Sequence, residues 1–306
     1  MLRYDLSIII PTFERDDVFK RTIKNTIKAI KDLDVEIIVV NDSNKPLIPI
    51  YNTENLTVLT NPKKGAASAR NIGAASANGS ILLFIDNDVL ISRTNIIRII
   101  ELNKKHPNSC FNFFWFYPPD LIEKLPSTSF GRFLLNNLIF SNLSRLGKIN
   151  SSKSFTEVNG IASYFLSISR SNFLKIGGYD ERIPKAGVED MILSKELIKN
   201  NIKMYFSYED IVYHNEADRL NLRNMMGIYH SHALTRKIAA SIGHDDFKPS
   251  ISLMKKISYS LLLPFKDLIY AATKLIPNTL FFDFIYFKLV SILLGLSTFE
   301  ALTKNK

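Results

Sequence analysis

Residues 79–88 read Gly-Ser-Ile-Leu-Leu-Phe-Ile-Asp-Asn-Asp, an apolar run of strand length that ends abruptly in two carboxylates one residue apart. Consecutive Ile, Leu and Phe leave no side for solvent, so the run predicts a strand buried on both faces of a parallel sheet. Ligands of open α/β sheets bind beyond the carboxyl ends of such strands, which is where Asp86 and Asp88 fall. Side chains alternate with period two along an extended backbone, so both carboxylates point to the same side. Two hard oxygen donors on one side suit Mg²⁺ or Mn²⁺, and an ion held this way can clamp a diphosphate. Taken alone, the triplet also fits an ordinary turn, because Asp and Asn are turn formers.

The flanking chain repeats the alternation. Residues 7–10 give a second buried strand, stopped at Pro11. Residues 16–31 carry Val18, Phe19, Ile23, Ile27 and Ile30 at helical spacing with a polar opposite face. Residues 35–40 and 55–60 read as two further strands, and residues 63–78 as a helix of small side chains able to pack closely. This order predicts a doubly wound sheet with right-handed crossovers. The 306 residues suffice for one large α/β domain with an appendage. Cys110 is the single cysteine, which excludes an intrachain disulfide or a multi-cysteine zinc site and fits a reducing compartment. At the N-terminus the apolar stretch is short, contains Asp5 and lacks a small-residue cleavage site, so no signal peptide is expected.

Four motifs in this order resemble the nucleotide-sugar half of family-2 glycosyltransferases with the GT-A fold. They are Ser-Ile-Ile-Ile-Pro-Thr-Phe-Glu-Arg (7–15), Glu-Ile-Ile-Val-Val-Asn-Asp-Ser (36–43), Lys-Gly-Ala-Ala-Ser-Ala-Arg-Asn-Ile-Gly (64–73) and Ile-Leu-Leu-Phe-Ile-Asp-Asn-Asp (81–88). The resemblance implies a doubly wound mixed sheet with Pro11, Thr12, Glu14 and Asp42 at the base and ribose, and Arg70 at the base. It likewise implies Asp86 near ribose and metal, with Asp88 on the metal. Glu14 stands where Asn is commoner in the family, and Asn41 where many members have a first Asp.

In the second half, residues 96–100 read as a short helix and residues 110–117 as an aromatic strand broken by Pro118-Pro119. Residues 121–150 look like an irregular or helical insertion, and residues 158–168 return to strand alternation. Gly-Gly-Tyr-Asp-Glu (177–181), followed by Glu189-Asp190 at a helix start, resembles the acceptor half of the same family. There the Glu-Asp carboxylate is the catalytic base, which implies Asp190, with Glu189 the alternate. Acids in a first helical turn also favour the macrodipole without further purpose. Residues 202–206 and 211–215 read as a short strand pair. The family places a His near the diphosphate or metal at this point, and His214 stands there.

From residue 219 the pattern changes to helices rich in apolar and aromatic side chains, with Lys255, Lys256, Lys266 and Lys274 among them. Residues 280–296 contain Asp283 and Lys288, which makes a poor transmembrane span. The mixture suits either an anionic membrane surface or helices packed on the catalytic domain or on a second subunit, as in a homo-oligomer. The net charge of +10 is read this way and not as nucleic-acid binding, for which no recognition motif is present. The expected organisation is a nucleotide-sugar-binding half at 1–105, an acceptor-binding half of the same domain at 106–218, and a C-terminal helical region at 219–306 that makes either a membrane-surface or an oligomer contact. The resemblance implies an inverting glycosyltransferase that uses a nucleotide-diphosphate sugar, a UDP-sugar first, and a glycan or lipid-linked glycan acceptor. Its setting would be surface polysaccharide synthesis in the cytoplasm, on the inner face of the cell membrane. A sugar nucleotidyltransferase and a non-catalytic nucleotide- or glycan-binding membrane subunit are the alternatives.

Overall fold

A computed structural model of the chain describes residues 3–47, 53–139 and 155–304. The described chain divides into two compact units. The first is Met1–Pro118 with Asn150–Lys185 and Glu189–Asn215, and the second is Pro119–Ile149 with Ala186–Val188 and Glu216–Lys306.

The first unit is built on one mixed sheet of nine strands. Its elements are β1 (Tyr4–Thr12), α1 (Asp16–Ala29), β2 (Val35–Asn41), β3 (Leu56–Thr60), α2 (Ala66–Ser76), β4 (Gly79–Ile85), β5 (Val89–Leu90) and α3 (Arg93–Lys105). They continue with β6 (Ser109–Phe116), β7 (Thr156–Val158), β8 (Phe165–Ser169), α4 (Arg170–Lys175), α5 (Glu189–Lys199) and β9 (Lys203–His214). The strand order is β3-β2-β1-β4-β8-β6-β9-β5, with β7 also on β9. Strands β1 to β4 run parallel, and β8 enters antiparallel between β4 and β6. The buried strands have two apolar faces, as the sequence requires. Ile8 and Ile10 pack with Phe19 and Ile23 of α1 and Ile96 and Ile99 of α3, whereas Ile9 packs with Ala67, Ala69 and Ala74 of α2 and Leu193 of α5.

The small residues of α2 have a specific use. A Cβ on Gly73 would come within 2.4 Å of the Ile9 side chain and 3.3 Å of Val40, so the helix lies closer to the sheet than any larger residue permits. At the other end of these strands Glu36, buried in β2, accepts from Ser7 Oγ and from the Asn78 backbone N–H, each at 2.6 Å, and Ser7 Oγ accepts from Gly79 N at 2.8 Å. Cys110 lies wholly buried in β6, where burial pushes its thiol up to about 12.

Three local expectations are corrected. The short helix at 96–100 is part of the thirteen-residue α3, which starts earlier because Ser92 and Asn95 form a reciprocal capping box. The strand expected over 158–168 is two strands, β7 and β8. Between them residues 159–164 leave the ladder, and the Asn112 side chain both donates to Ala162 O and accepts from Ala162 N. The strand pair at 202–206 and 211–215 is one strand, β9. Its turn-like Ser-Tyr-Glu-Asp is a bulge against β6, closed by Ser207 Oγ donating to Asp210 and accepting from Asp210 N.

The second unit contains α6 (Leu222–Ser241), α7 (Leu253–Leu262), α8 (Lys266–Leu275) and α9 (Asp283–Thr303). Helical turns at Pro119–Ile122, Leu125–Ser127 and Ser129–Leu134 open the insertion expected at 121–150, of which residues 140–150 lie outside the described residues. The 24-residue stretch Leu280–Thr303 is long and apolar enough, by length and composition, to cross a membrane. In the fold α9 packs against α6, with Val290, Leu293 and Leu296 buried. Asp283 accepts both oxygens' worth of hydrogen bonds from Arg132 at 2.7 Å, and Phe133 meets Phe287 edge-on.

Overpacking a tight helix–sheet contact costs about 1–3 kcal/mol. Gly73→Val is therefore expected to lower the unfolding free energy by about 3 kcal/mol, read from urea denaturation.

Candidate active site

The carboxyl ends of β1, β2 and β4 and the start of α5 bring the acidic residues together. Asp86 and Asp88 follow β4. Asp88 is 1% exposed, and its Oδ1 meets Nε2 of His214 at 2.8 Å while its Oδ2 is paired with Arg15. His214 ends β9 and is held between the edge of Trp115 at 5.3 Å and the ring of Tyr164 at 6.1 Å. The backbone repeats the link, since Asn215 N donates to Asp88 O at 2.7 Å. Burial alone would push the Asp88 carboxyl up, but His214 and Arg15 together hold it well below the usual carboxylate range. Ligand atoms of Asp86, Asp88 and His214 all lie within 4.8 Å of one another.

Arg70, on the buried side of α2, connects this cluster to the second acidic pair. One of its terminal nitrogens donates to Asp86 Oδ1 at 2.8 Å and the other lies 3.3 Å from Glu189 Oε1. Its guanidinium also sits 5.3 Å over the ring of Tyr179. Burial opposes the charge, but Asp86, Tyr179, Glu189 and Asp190 outweigh it and keep Arg70 firmly protonated. Glu189 and Asp190 open α5, where the helix macrodipole favours negative charge. Asp190 accepts from the Ser163 hydroxyl, which also bonds the Tyr179 hydroxyl at 2.6 Å. Burial first, and the neighbouring Glu189 second, raise the Asp190 carboxyl to about 6. A carboxylate poised there can take a proton near neutral pH.

The remaining expected residues line the same end of the sheet. Pro11 pairs with Val40 inside the ladder, and Thr12 ends β1 with its hydroxyl accepting from Asn87 at 3.1 Å. Glu14 has a left-handed backbone (φ 42°) and accepts weakly from Ser43 Oγ at 3.4 Å. Asp42 accepts from the Gly65 N–H with both oxygens, at 2.9 and 3.0 Å, and from Asn61 at 2.6 Å, so its carboxylate caps the approach to α2. Arg15 sits on Asp88, and Asn87, Ser163 and Tyr179 also reach the site, roles that spacing along the sequence does not signal. Ser163 and Tyr164 arrive through the loop at 159–164, whose course depends on antiparallel β8 and not on any local pattern.

The donor set fits a divalent cation. Two carboxylates and an imidazole are the oxygen and nitrogen ligands that Mn²⁺ and Mg²⁺ sites employ. Four acids, Asp86, Asp88, Glu189 and Asp190, face the two guanidiniums of Arg15 and Arg70.

A parallel run of strands through β4, followed by antiparallel β8 and then the parallel pair β6 and β9, with an acidic pair at the end of β4 and a second one across Arg70, is the arrangement of a glycosyltransferase of the GT-A fold. Residues 7–173, more than half of the chain, match the pattern of Glycosyl transferase family 2, and the chain belongs to that family. A Haemophilus influenzae protein described as an uncharacterized glycosyltransferase is 28% identical over 109 residues, which span 35% of this chain and 37% of that protein. Among solved structures, the Pyrobaculum calidifontis mannosyltransferase PcManGT, in complex with GDP-Man and Mn²⁺, superposes with a TM-score of 0.53. It is 13% identical, over 99% of this chain and 88% of that one. GalNAc-T7 with UDP, GalNAc and Mn²⁺ gives 0.52 at 16% identity, over 68% of this chain and 42% of that one. TarS of S. aureus gives 0.50 at 14%, over 96% and 89%. At these identities the structural likeness is one of fold.

Removing one partner of a buried ion-pair network leaves uncompensated charge and costs about 3–5 kcal/mol. Arg70→Met should lose about that much stability in denaturant titrations. In the same variant Asp190 should titrate above its native value of about 6, followed by carboxyl-carbon NMR, because Arg70 is one of the groups holding it down.

Proposed function

We propose that the chain transfers a sugar, with inversion, from a nucleotide-diphosphate sugar to a hydroxyl of a glycan or lipid-linked glycan acceptor. The observation that carries this reading is the Arg70 bridge, which sets a cation-type cluster and a carboxylate of raised proton affinity on two sides of one buried charge. Asp190 acts as the base. It takes the proton of the acceptor hydroxyl as that oxygen attacks the anomeric carbon, and the bond from that carbon to the diphosphate oxygen breaks with its electron pair leaving on the diphosphate. One in-line displacement inverts the centre without a covalent enzyme intermediate. Ser163 fixes the Asp190 carboxylate in place and Glu189 keeps its proton affinity high. When bound by Asp86, Asp88 and His214, Mn²⁺ or Mg²⁺ would supply Lewis-acid charge for the diphosphate.

Pro11, Thr12, Glu14, Asp42 and Arg70 are assigned to the donor nucleoside, with a UDP-sugar as the first candidate. UDP in complex with GalNAc-T7, and GDP-Man and Mn²⁺ with PcManGT, support a nucleotide-sugar donor without selecting the base. The setting proposed is surface polysaccharide synthesis on the cytoplasmic face of a membrane.

Two experiments test the reading. Asp190→Asn should cut kcat by about 10²–10⁴-fold in a variant that circular dichroism shows folded, and kcat/KM of the native chain should fall tenfold per pH unit below about 6, since the base must be deprotonated to act. Full turnover in Asp190→Asn would remove it as the base. In a thermal-shift panel, saturating UDP with Mn²⁺ should raise the melting temperature by roughly 5 °C, and EDTA or Asp88→Asn should erase the gain. A shift indifferent to EDTA would refute the metal assignment.

A further inference from the structure

The second unit contains a cavity of about 820 Å³ between α6, α7 and α9. Arg236, Lys248 and Lys255 line it, and among the described residues no acidic side chain does. Among the described residues none of these three cations has an ion-pair partner. Ser250, Ser252 and Tyr259 add hydroxyls, while Leu294 and Phe299 add an apolar wall. Cations with hydroxyl donors are the groups that bind phosphate oxygens, and the apolar wall suits a hydrocarbon attached to that phosphate.

Helix α7 is arranged inside out for a protein in water. None of its residues is buried, and Leu253, Met254, Ile257 and Leu261 are 51–75% exposed. At 100° per residue these four occupy one arc, and the cavity-lining Lys255 and Tyr259 fall on the opposite side. The exposed apolar surface continues through Phe265 and Leu268, then Leu280, Phe281 and Phe284, at 55–86% exposure. Lysines are interleaved with it. The Lys274 ammonium lies 4.9 Å from the Tyr270 ring and that of Lys288 lies 4.4 Å from the Phe284 ring, so their stems run along the apolar surface. Lysine is depleted from the cores of protein–protein interfaces. It is favoured where an apolar face lies in an anionic lipid interface. That charge pattern selects a bilayer over a second copy of the chain.

We propose that the cavity binds the phosphate-bearing headgroup of an anionic membrane lipid, with the exposed face of α7 and its neighbours seated in the bilayer interface beside it. The lipid site is independent of the transfer reaction, so its test uses no turnover. The full chain is floated with phosphatidylcholine vesicles and with vesicles enriched in phosphatidylglycerol, circular dichroism confirming that each variant is folded. Flotation is expected only with the second. Combining Arg236→Ala, Lys248→Ala and Lys255→Ala should raise the lipid needed for half-binding about a hundredfold, from roughly fivefold per cation near an anionic surface. Leu253→Ser with Ile257→Ser and Leu261→Ser should abolish flotation. An equal loss from Lys256→Ala, Lys274→Ala and Lys288→Ala combined would mean diffuse attraction and overturn the cavity site. Inorganic phosphate raising the melting temperature as much as vesicles do would make free phosphate the ligand and overturn the lipid. Absence of flotation, with self-association in light scattering that Leu261→Ser removes, would assign the surface to a second copy.

Discussion

A single buried guanidinium governs the geometry of the candidate active site. Arg70 reaches a carboxylate beyond β4 and another at the start of α5, segments more than one hundred residues apart in the chain. Burying a charge is tolerable only when it is paired and hydrogen-bonded, so the ends of β4 and α5 are fixed relative to each other wherever Arg70 stays ionised. The close approach of α2 makes this reach available. Gly73, Ala67, Ala69 and Ala74 bring that helix onto Ile9 and Val40, and Arg70 projects from it toward the carboxyl ends of the strands. Asp190 inherits its elevated proton affinity from the same burial that makes Arg70 necessary.

The parallel half of the sheet was legible because its residues carry their instructions locally. Ile8-Ile9-Ile10 and Ile81–Ile85 cannot be surface strands, and alternating side chains put Asp86 and Asp88 together without knowledge of any neighbour. The half beyond β4 is less legible. The turn-like Ser207–Asp210 segment looks like a strand end, yet the continuing parallel ladder with β6 carries the chain through it as a bulge. Asn112, an unremarkable polar residue in an aromatic strand, bends residues 159–164 out of the ladder and so delivers Ser163 to Asp190. Such effects belong to pairs distant in sequence, and spacing along the chain does not encode them. Arg15 illustrates the same limit: its partner Asp88 lies seventy-three residues away.

The second unit follows a different logic. Its α9 buries an ordinary apolar seam, whereas α7 and α8 expose theirs. Composition showed the apolar and lysine content of this region, but not which side of each helix faces inward. Orientation is a tertiary property, and it turns a generic amphipathic pattern into a surface with a preferred environment.

The lone thiol of Cys110 has a further use. It is fully enclosed in β6, and burial keeps it protonated and unreactive. Alkylating reagents can reach it only when the sheet opens, so the native chain carries an intrinsic clock for its own opening events. Because no second cysteine of the chain competes for label, the modification rate of the purified protein reports the opening of the sheet, free or on a vesicle, without an engineered probe.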